Sequence, residues 1–123
     1  MVIGIGVDTT LIERIEKSSQ KEHFMQRFFS DRERAMFARK GNIAQSIAGN
    51  YAAKEALGKA LGTGLSGFVW NEASILRAEI GAPYFIYEGH LQELMQKNHW
   101  KASVSITHEG EYATAFVLIE ENK

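Results

Sequence analysis

The sequence has 123 residues, 45% hydrophobic and 24% charged, with a formal net charge of −1, which suits one globular domain around a single core. It contains no cysteine, which excludes disulfides, thiolate zinc sites and a cysteine nucleophile. No run of about 18 apolar residues offers a membrane span, and Met1 to Asp8 lack the cationic head and apolar length of a secretory leader, so a cytoplasmic protein with no membrane partner is expected.

Val2 to Val7 alternate with period two, which puts Ile3, Ile5 and Val7 on one face of a strand and Gly4, Gly6 and Asp8 on the other. Asp8 is expected at the strand's end, and the bare glycines let another element or a ligand approach the backbone. Asp8 or Thr9 is expected to cap a helix over Thr10–Lys17. Phe24, Met25, Phe28 and Phe29 predict a short helical turn. Ser30 with Glu33 three residues later forms a capping box that opens a helix through Arg39, ended by Gly41 and Asn42. A long helix is predicted over Ile43–Leu61, with Gly62 as its stop. Val69–Ala78 and Tyr84–Tyr87 read as strands joined across Ile80 to Pro83, and His90–Lys97 as a helix with Leu91, Leu94 and Met95 inward. Lys101–Thr107 and Tyr112–Glu120 form a hairpin around Glu109-Gly110. The fold class is α+β in one domain spanning residues 1–123: an N-terminal strand and helices, one long central helix, and an antiparallel sheet mainly from the C-terminal half.

The central helix carries Lys54, Glu55 and Lys59 among alanines and leucines. Stepping 100° per residue from Ile47 puts Tyr51 near about 40°, Glu55 near about 80°, Lys59 near about 120° and Lys54 near about 340°. No continuous polar stripe results, unlike an amphipathic surface helix. Glu55 and Lys59 are either a solvated i,i+4 pair worth about 0.2–0.5 kcal/mol or charges kept in covered surface for chemistry. The following Gly62, Gly64 and Gly67 have G-x-G-x-x-G spacing, but a dinucleotide loop follows a strand and opens a helix, which this one does not. A loop of backbone N–H groups able to lie against a phosphate is what remains.

Between Thr9 and Asn42, eight Lys/Arg face five acids. This is either a solvated face or a patch that steers an acidic partner. A nucleic-acid partner is not expected, because the patch lacks interleaved aromatics and the overall charge is not basic. The four histidines show no metal-ligand spacing; His108 stands apart by following a strand at a hairpin mouth.

Three segments together resemble the holo-acyl-carrier-protein synthases, the small bacterial class of 4'-phosphopantetheinyl transferases. They are "GIGVDTTLIERI" (4–15), "AGNYAAKEALGKALGTGLSG" (48–67) and "VSITHEGEYATAFVLIE" (104–120). The resemblance implies transfer of the 4'-phosphopantetheine arm of coenzyme A to a serine of an apo acyl carrier protein, with Mg²⁺ as metal and a homotrimer sharing sites between subunits. It assigns Asp8 and Glu55 to the metal and Lys59 to phosphate, this trio forming the catalytic set. Coenzyme contacts fall to Asn50, Lys59, Gly62, Thr63, Gly64, Thr107 and His108. The acidic carrier protein falls to Arg14, Lys17, Phe24 and Arg27. Two positions depart from the family pattern: Asn50 stands where arginine is common, in doubt as a ribose-phosphate contact, and Gly58 where serine often precedes the lysine. Two other classes are consistent with the residues: a non-catalytic module holding an acidic protein through the basic N-terminal helices, and a metal-dependent nucleotide phosphodiesterase.

Overall fold

The structure is a computed structural model that describes residues 1–62 and 69–122. Strand β1 (Val2–Leu11) leads into three short helices, α1 (Ile12–Ser18), α2 (Glu22–Phe28) and α3 (Asp31–Arg39), and then the long α4 (Ala44–Ala60). A 3-10 turn (Trp70–Glu72) precedes the hairpin of β2 (Ala73–Arg77) and β3 (Pro83–Tyr87). Helix α5 (Gly89–Lys97) and a second hairpin, β4 (Trp100–Glu109) and β5 (Tyr112–Glu121), complete the fold. Among the described residues no helix is long and apolar enough to cross a membrane.

The strands form two sheets rather than one: an antiparallel β1-β5-β4 sheet and a separate β2-β3 pair. The N-terminal strand thus closes onto the last one, with Asp8 opposite Ala115 and Leu11 opposite Tyr112. α4 lies across one face of the larger sheet. Gly4 and Gly6 make this approach possible, since an added Cβ would stand 2.0 Å from the carbonyl oxygens of Ala60 and Ala56 respectively. The helix face is alanine-rich for the same reason: Ala52, Ala53, Ala56 and Ala60 are buried with Ala115, Val117 and Ile119 of β5 in one core. A second cluster joins Ile15, Phe29, Met36, Phe37 and Ile47.

Three local expectations are corrected. β1 runs on to Leu11 because pairing with β5 continues to Tyr112. Helix α1 therefore starts at Ile12 with no side-chain cap, and Asp8 lies inside a strand instead of at its end. The predicted strand Val69–Ala78 shrinks to Ala73–Arg77, because the buried ammonium of Lys54 draws on the carbonyls of Trp70 and Ala73 and the chain there turns to meet it. Finally, β4 extends through His108, which pairs with Ala113 instead of standing beyond the strand.

Candidate active site

The register of β1 and the period of α4 bring Asp8, Glu55 and Lys59 to one edge of the helix–sheet layer. Asp8 alternates onto the α4 side with Gly4 and Gly6, where the lack of side chains lets the helix settle close. Lys59 reaches across and donates to the Val7 carbonyl oxygen at 2.9 Å and to Asp8 Oδ1 at 3.3 Å. The other oxygen of that carboxylate, Oδ2, accepts from the Thr10 hydroxyl at 2.8 Å. Thr10 is buried, so one oxygen of Asp8 is anchored from inside and the other meets a cation. The Asp8 side chain is 16% exposed and that of Lys59 52%.

Glu55, one helical turn before Lys59, is half-buried. Burial raises its pKa, and repulsion from Asp8 adds to the rise. The Tyr51 hydroxyl donating to it, together with the positive charges of Lys59 and Arg14, works the other way. Tyr51 is held at about 12, mainly by its own burial and then by Glu55. Its ring stacks on Trp70 at 6.1 Å and on Phe24 at 6.1 Å, so the phenol that orients Glu55 is fixed by an aromatic cluster from α2 and the 3-10 turn. Tyr51 and Thr10 were not singled out in the sequence. The signal for Tyr51 was present as its i,i+4 spacing to Glu55; Thr10 needed the strand register.

The two carboxylates fit a hard divalent cation that keeps several waters and substrate oxygens, as Mg²⁺ does. They would not by themselves form an all-protein cage, and among the described residues no group of three or more metal-binding side chains occurs.

The other predicted residues distribute unevenly around this cluster. Arg14 on α1 is exposed and close enough for its charge to act on Glu55 and Tyr51. Lys17 is exposed and pairs with Glu13 at 3.5 Å. Phe24 packs on Phe28 at 4.8 Å, and Arg27 lies over the Phe28 ring at 5.6 Å. Gly62 terminates α4 with φ +78° and nothing within 4 Å of its added Cβ. Thr63 and Gly64 lie outside the described residues.

Thr107 and His108 are not brought to the cluster within one chain. They sit on β4, which β5 separates from β1, and His108 Nε2 instead meets the Gln45 carbonyl oxygen at 2.9 Å. Asn50, also expected against the coenzyme, faces inward from α4. It is fully buried, and its amide is taken up by Glu33 Oε2 at 2.8 Å, the Ile75 carbonyl oxygen at 2.9 Å and the Arg77 guanidinium at 2.9 Å.

Comparison with known proteins places the chain in a family. A family model described as the 4'-phosphopantetheinyl transferase superfamily matches residues 4–117. A holo-(acyl-carrier-protein) synthase of Fusobacterium nucleatum is 37% identical over 121 residues, covering 97% of this chain and 99% of the relative. One from Clostridium beijerinckii is 40% identical over 121 residues, covering 98% of each. The crystal structure of holo-(acyl-carrier-protein) synthase from Neisseria meningitidis superposes with a TM-score of 0.89 at 31% identity, covering 98% of this chain and 99% of that one. The Helicobacter pylori enzyme in complex with coenzyme A gives a TM-score of 0.81 at 32% identity, over 94% and 99%. With one family model running from the glycine strand to the last strand, and relatives at 37–40% identity matched over nearly their full length, the chain belongs to the 4'-phosphopantetheinyl transferase superfamily.

Proposed function

We propose that the protein is a cytoplasmic, Mg²⁺-dependent transferase that moves the 4'-phosphopantetheine arm of coenzyme A onto a serine of an apo acyl carrier protein and releases adenosine 3',5'-bisphosphate. The observation that carries this reading is the convergence of Asp8, Glu55 and Lys59: two carboxylates and a cation at one edge suit a magnesium–diphosphate substrate.

When bound, the metal would neutralise charge on the diphosphate oxygens; Asp8 and Glu55 would hold it. Lys59, already partly solvated and steered by Asp8 and the Val7 carbonyl, can swing to a diphosphate oxygen and stabilise charge as it develops. The serine oxygen forms a bond to the pantetheine-side phosphorus while the bond from that phosphorus to the bridging oxygen breaks. The electron pair leaves with the adenosine bisphosphate. Glu55, or a water beside it, would receive the serine proton. Such a reaction asks the protein mostly for alignment and charge neutralisation.

Arg14, exposed beside this edge, with Lys17, Arg27 and the Phe24 cluster behind it, would receive the acidic carrier. The bare face of the large sheet supports a homotrimer: Ile5 is 61% exposed, Val7 54% and Phe116 43%. Together with Gly6 and Lys59 these residues line a cavity of about 350 Å³, so the apolar face and the site are continuous. A second copy covering that face could bring Thr107 and His108 to a coenzyme they cannot reach in their own chain.

The deciding experiment incubates purified protein with Mg²⁺, coenzyme A and a panel of apo carrier proteins and follows intact mass. A gain of one phosphopantetheine on the carrier serine is expected. Carrier binding without any mass gain would favour the non-catalytic module, and coenzyme hydrolysis without carrier would favour the phosphodiesterase.

A further inference from the structure

Among the described residues the buried polar side chains close on one another, with one exception. Glu33 of α3 pairs with Lys54 Nζ at 2.6 Å, both fully buried, and its oxygens also accept from the backbone N–H groups of Ser30 at 3.0 Å and Ile75 at 3.3 Å and from Asn50 Nδ2. The Ser30 and Ser74 hydroxyls meet at 2.6 Å. Thr10 is the exception, because the partner of its hydroxyl is a residue of the site, Asp8.

Packing does not account for that hydroxyl. Thr10 is 1% exposed, and the residue opposite it on β5 is Ala113, itself fully buried with Ile15, Phe29 and Ile47. A valine would fill such a position with no polar atom to satisfy, whereas a hydroxyl turned away from Asp8 would be buried without a bond. The two oxygens of Asp8 are accordingly unequal. Oδ2 is turned inward to Thr10 at 2.8 Å, and Oδ1 faces Lys59 at 3.3 Å. Lys59 is exposed and has a shorter bond to the Val7 carbonyl oxygen at 2.9 Å, so it can release Oδ1 and stay solvated. Thr10 has no such freedom. Glu55 is restricted in a similar way by the Tyr51 hydroxyl.

We propose that Thr10 makes Asp8 a one-oxygen metal ligand and thereby sets the choice of ion in favour of Mg²⁺ over Ca²⁺. The proposal rests on the transferase reading above. Mg²⁺ is small, demands near-ideal octahedral geometry and keeps several waters, while Ca²⁺ takes about six to eight oxygens and accepts both oxygens of one carboxylate. A carboxylate free to turn can close on Ca²⁺ with both. One whose Oδ2 is tied to a buried hydroxyl offers Oδ1 alone, which denies Ca²⁺ a ligand that Mg²⁺ does not need. The same bond holds the carboxylate against rotation and so orients Oδ1 for the smaller ion. Thr10 is thus a positioning residue that acts through Asp8.

Manganese, whose electron-spin signal falls when the ion binds, is the probe. Intact protein with coenzyme A is titrated with Mn²⁺, coenzyme A alone serving as the baseline, and the bound Mn²⁺ is displaced by Mg²⁺ or by Ca²⁺. In wild type Mg²⁺ should displace it at the lower concentration. Thr10→Val should weaken Mg²⁺ at least about tenfold, the scale of losing the outer partner of a metal ligand, and leave Ca²⁺ unchanged or tighter. Thr10→Ser, which keeps the hydroxyl, should retain the wild-type order. The Mg²⁺ concentration for half-maximal transfer should rise in Thr10→Val while KM for the carrier stays the same. Thermal melts identify a variant that fails to fold, and Thr10→Ala, which also lacks the hydroxyl, then carries the comparison. Equal weakening of both ions, or none, in a folded variant without the hydroxyl overturns the assignment, as does a wild type that prefers Ca²⁺. Wild type that binds no Mn²⁺ beyond the coenzyme baseline overturns instead the metal-dependent transferase reading on which it rests.

Discussion

Glu55 is the residue on which chemistry and stability pull in opposite directions. Burial lifts its pKa in the folded protein, so between the ordinary carboxylate value and the raised one the native state holds more protons than the unfolded chain. Stability then falls as pH rises through that interval. Glu55→Gln removes the penalty while keeping size and the Tyr51 contact. It should lower the transfer rate at least about 100-fold and melt no lower than wild type at pH 7, as checked by carrier mass gain and calorimetry. A melting point several degrees lower would show that Glu55 is structural. Lys54 behaves the other way. Its ammonium is fully buried, and burial depresses its pKa against the pull of Glu33. Lys54→Met leaves the Glu33 carboxylate buried without its partner, a loss of about 3–5 kcal/mol. Thermal unfolding should move down by at least about 10 °C, and a near-normal melt would mean that Asn50 and the backbone N–H groups suffice for Glu33. The helical wheel showed that neither charge belonged to a polar stripe. That one serves the site and the other the core could not be read there, because the difference lies in what α3 and β2 bring to each side of the helix.

At the scale of elements, the contact between α4 and β1 is made by absence of side chains. Gly6 faces the Ala56 carbonyl oxygen and the Ala60 nitrogen at 2.0 Å and 2.8 Å from where a Cβ would be. Both are backbone atoms and cannot rotate away. Gly6→Ala must push the helix off the strand, costing about 1–3 kcal/mol or more and moving Lys59 away from Asp8. Chemical denaturation should show the loss of stability, and activity should fall with it even though no charged group is altered; an unchanged midpoint would refute the close packing. The alternation of β1 disclosed which residues share a face. It left open which face was inside, and here the glycine face is covered by helix while Ile5 and Val7 look outward. Hydrophobicity alone would have reversed that choice. The reason is steric: an alanine-rich helix beside a glycine strand packs more closely than large side chains would permit.

The whole molecule leaves an apolar sheet face whose residues come from both ends of the chain, with Val7 paired to Phe116 across β1 and β5. An exposed patch of this kind on a small protein marks an interface, and closed symmetry is the usual way to cover it. Phe116→Asp should dissociate the proposed homotrimer into monomers in light scattering coupled to gel filtration, and with it lose activity if sites are shared. A variant that stays trimeric would place the interface elsewhere.

By itself the sequence determined the order of the elements and, through the resemblance it carries, the family. Helix and strand periods, the Ser30–Glu33 capping box and the Gly62 stop are local signals, and Asp8, Glu55 and Lys59 were singled out by the family resemblance, since helix geometry alone left Glu55 and Lys59 equally readable as a solvated pair. Tertiary structure alone decided how those charges are employed. It closed Lys54 onto Glu33, tied the buried Asn50 to Glu33 and Arg77, and put His108 on β4, which β5 separates from β1. Each of these depends on contacts between residues 17 to more than 60 positions apart, where no local period carries information and only the packing of α3, α4 and the two sheets fixes what meets what.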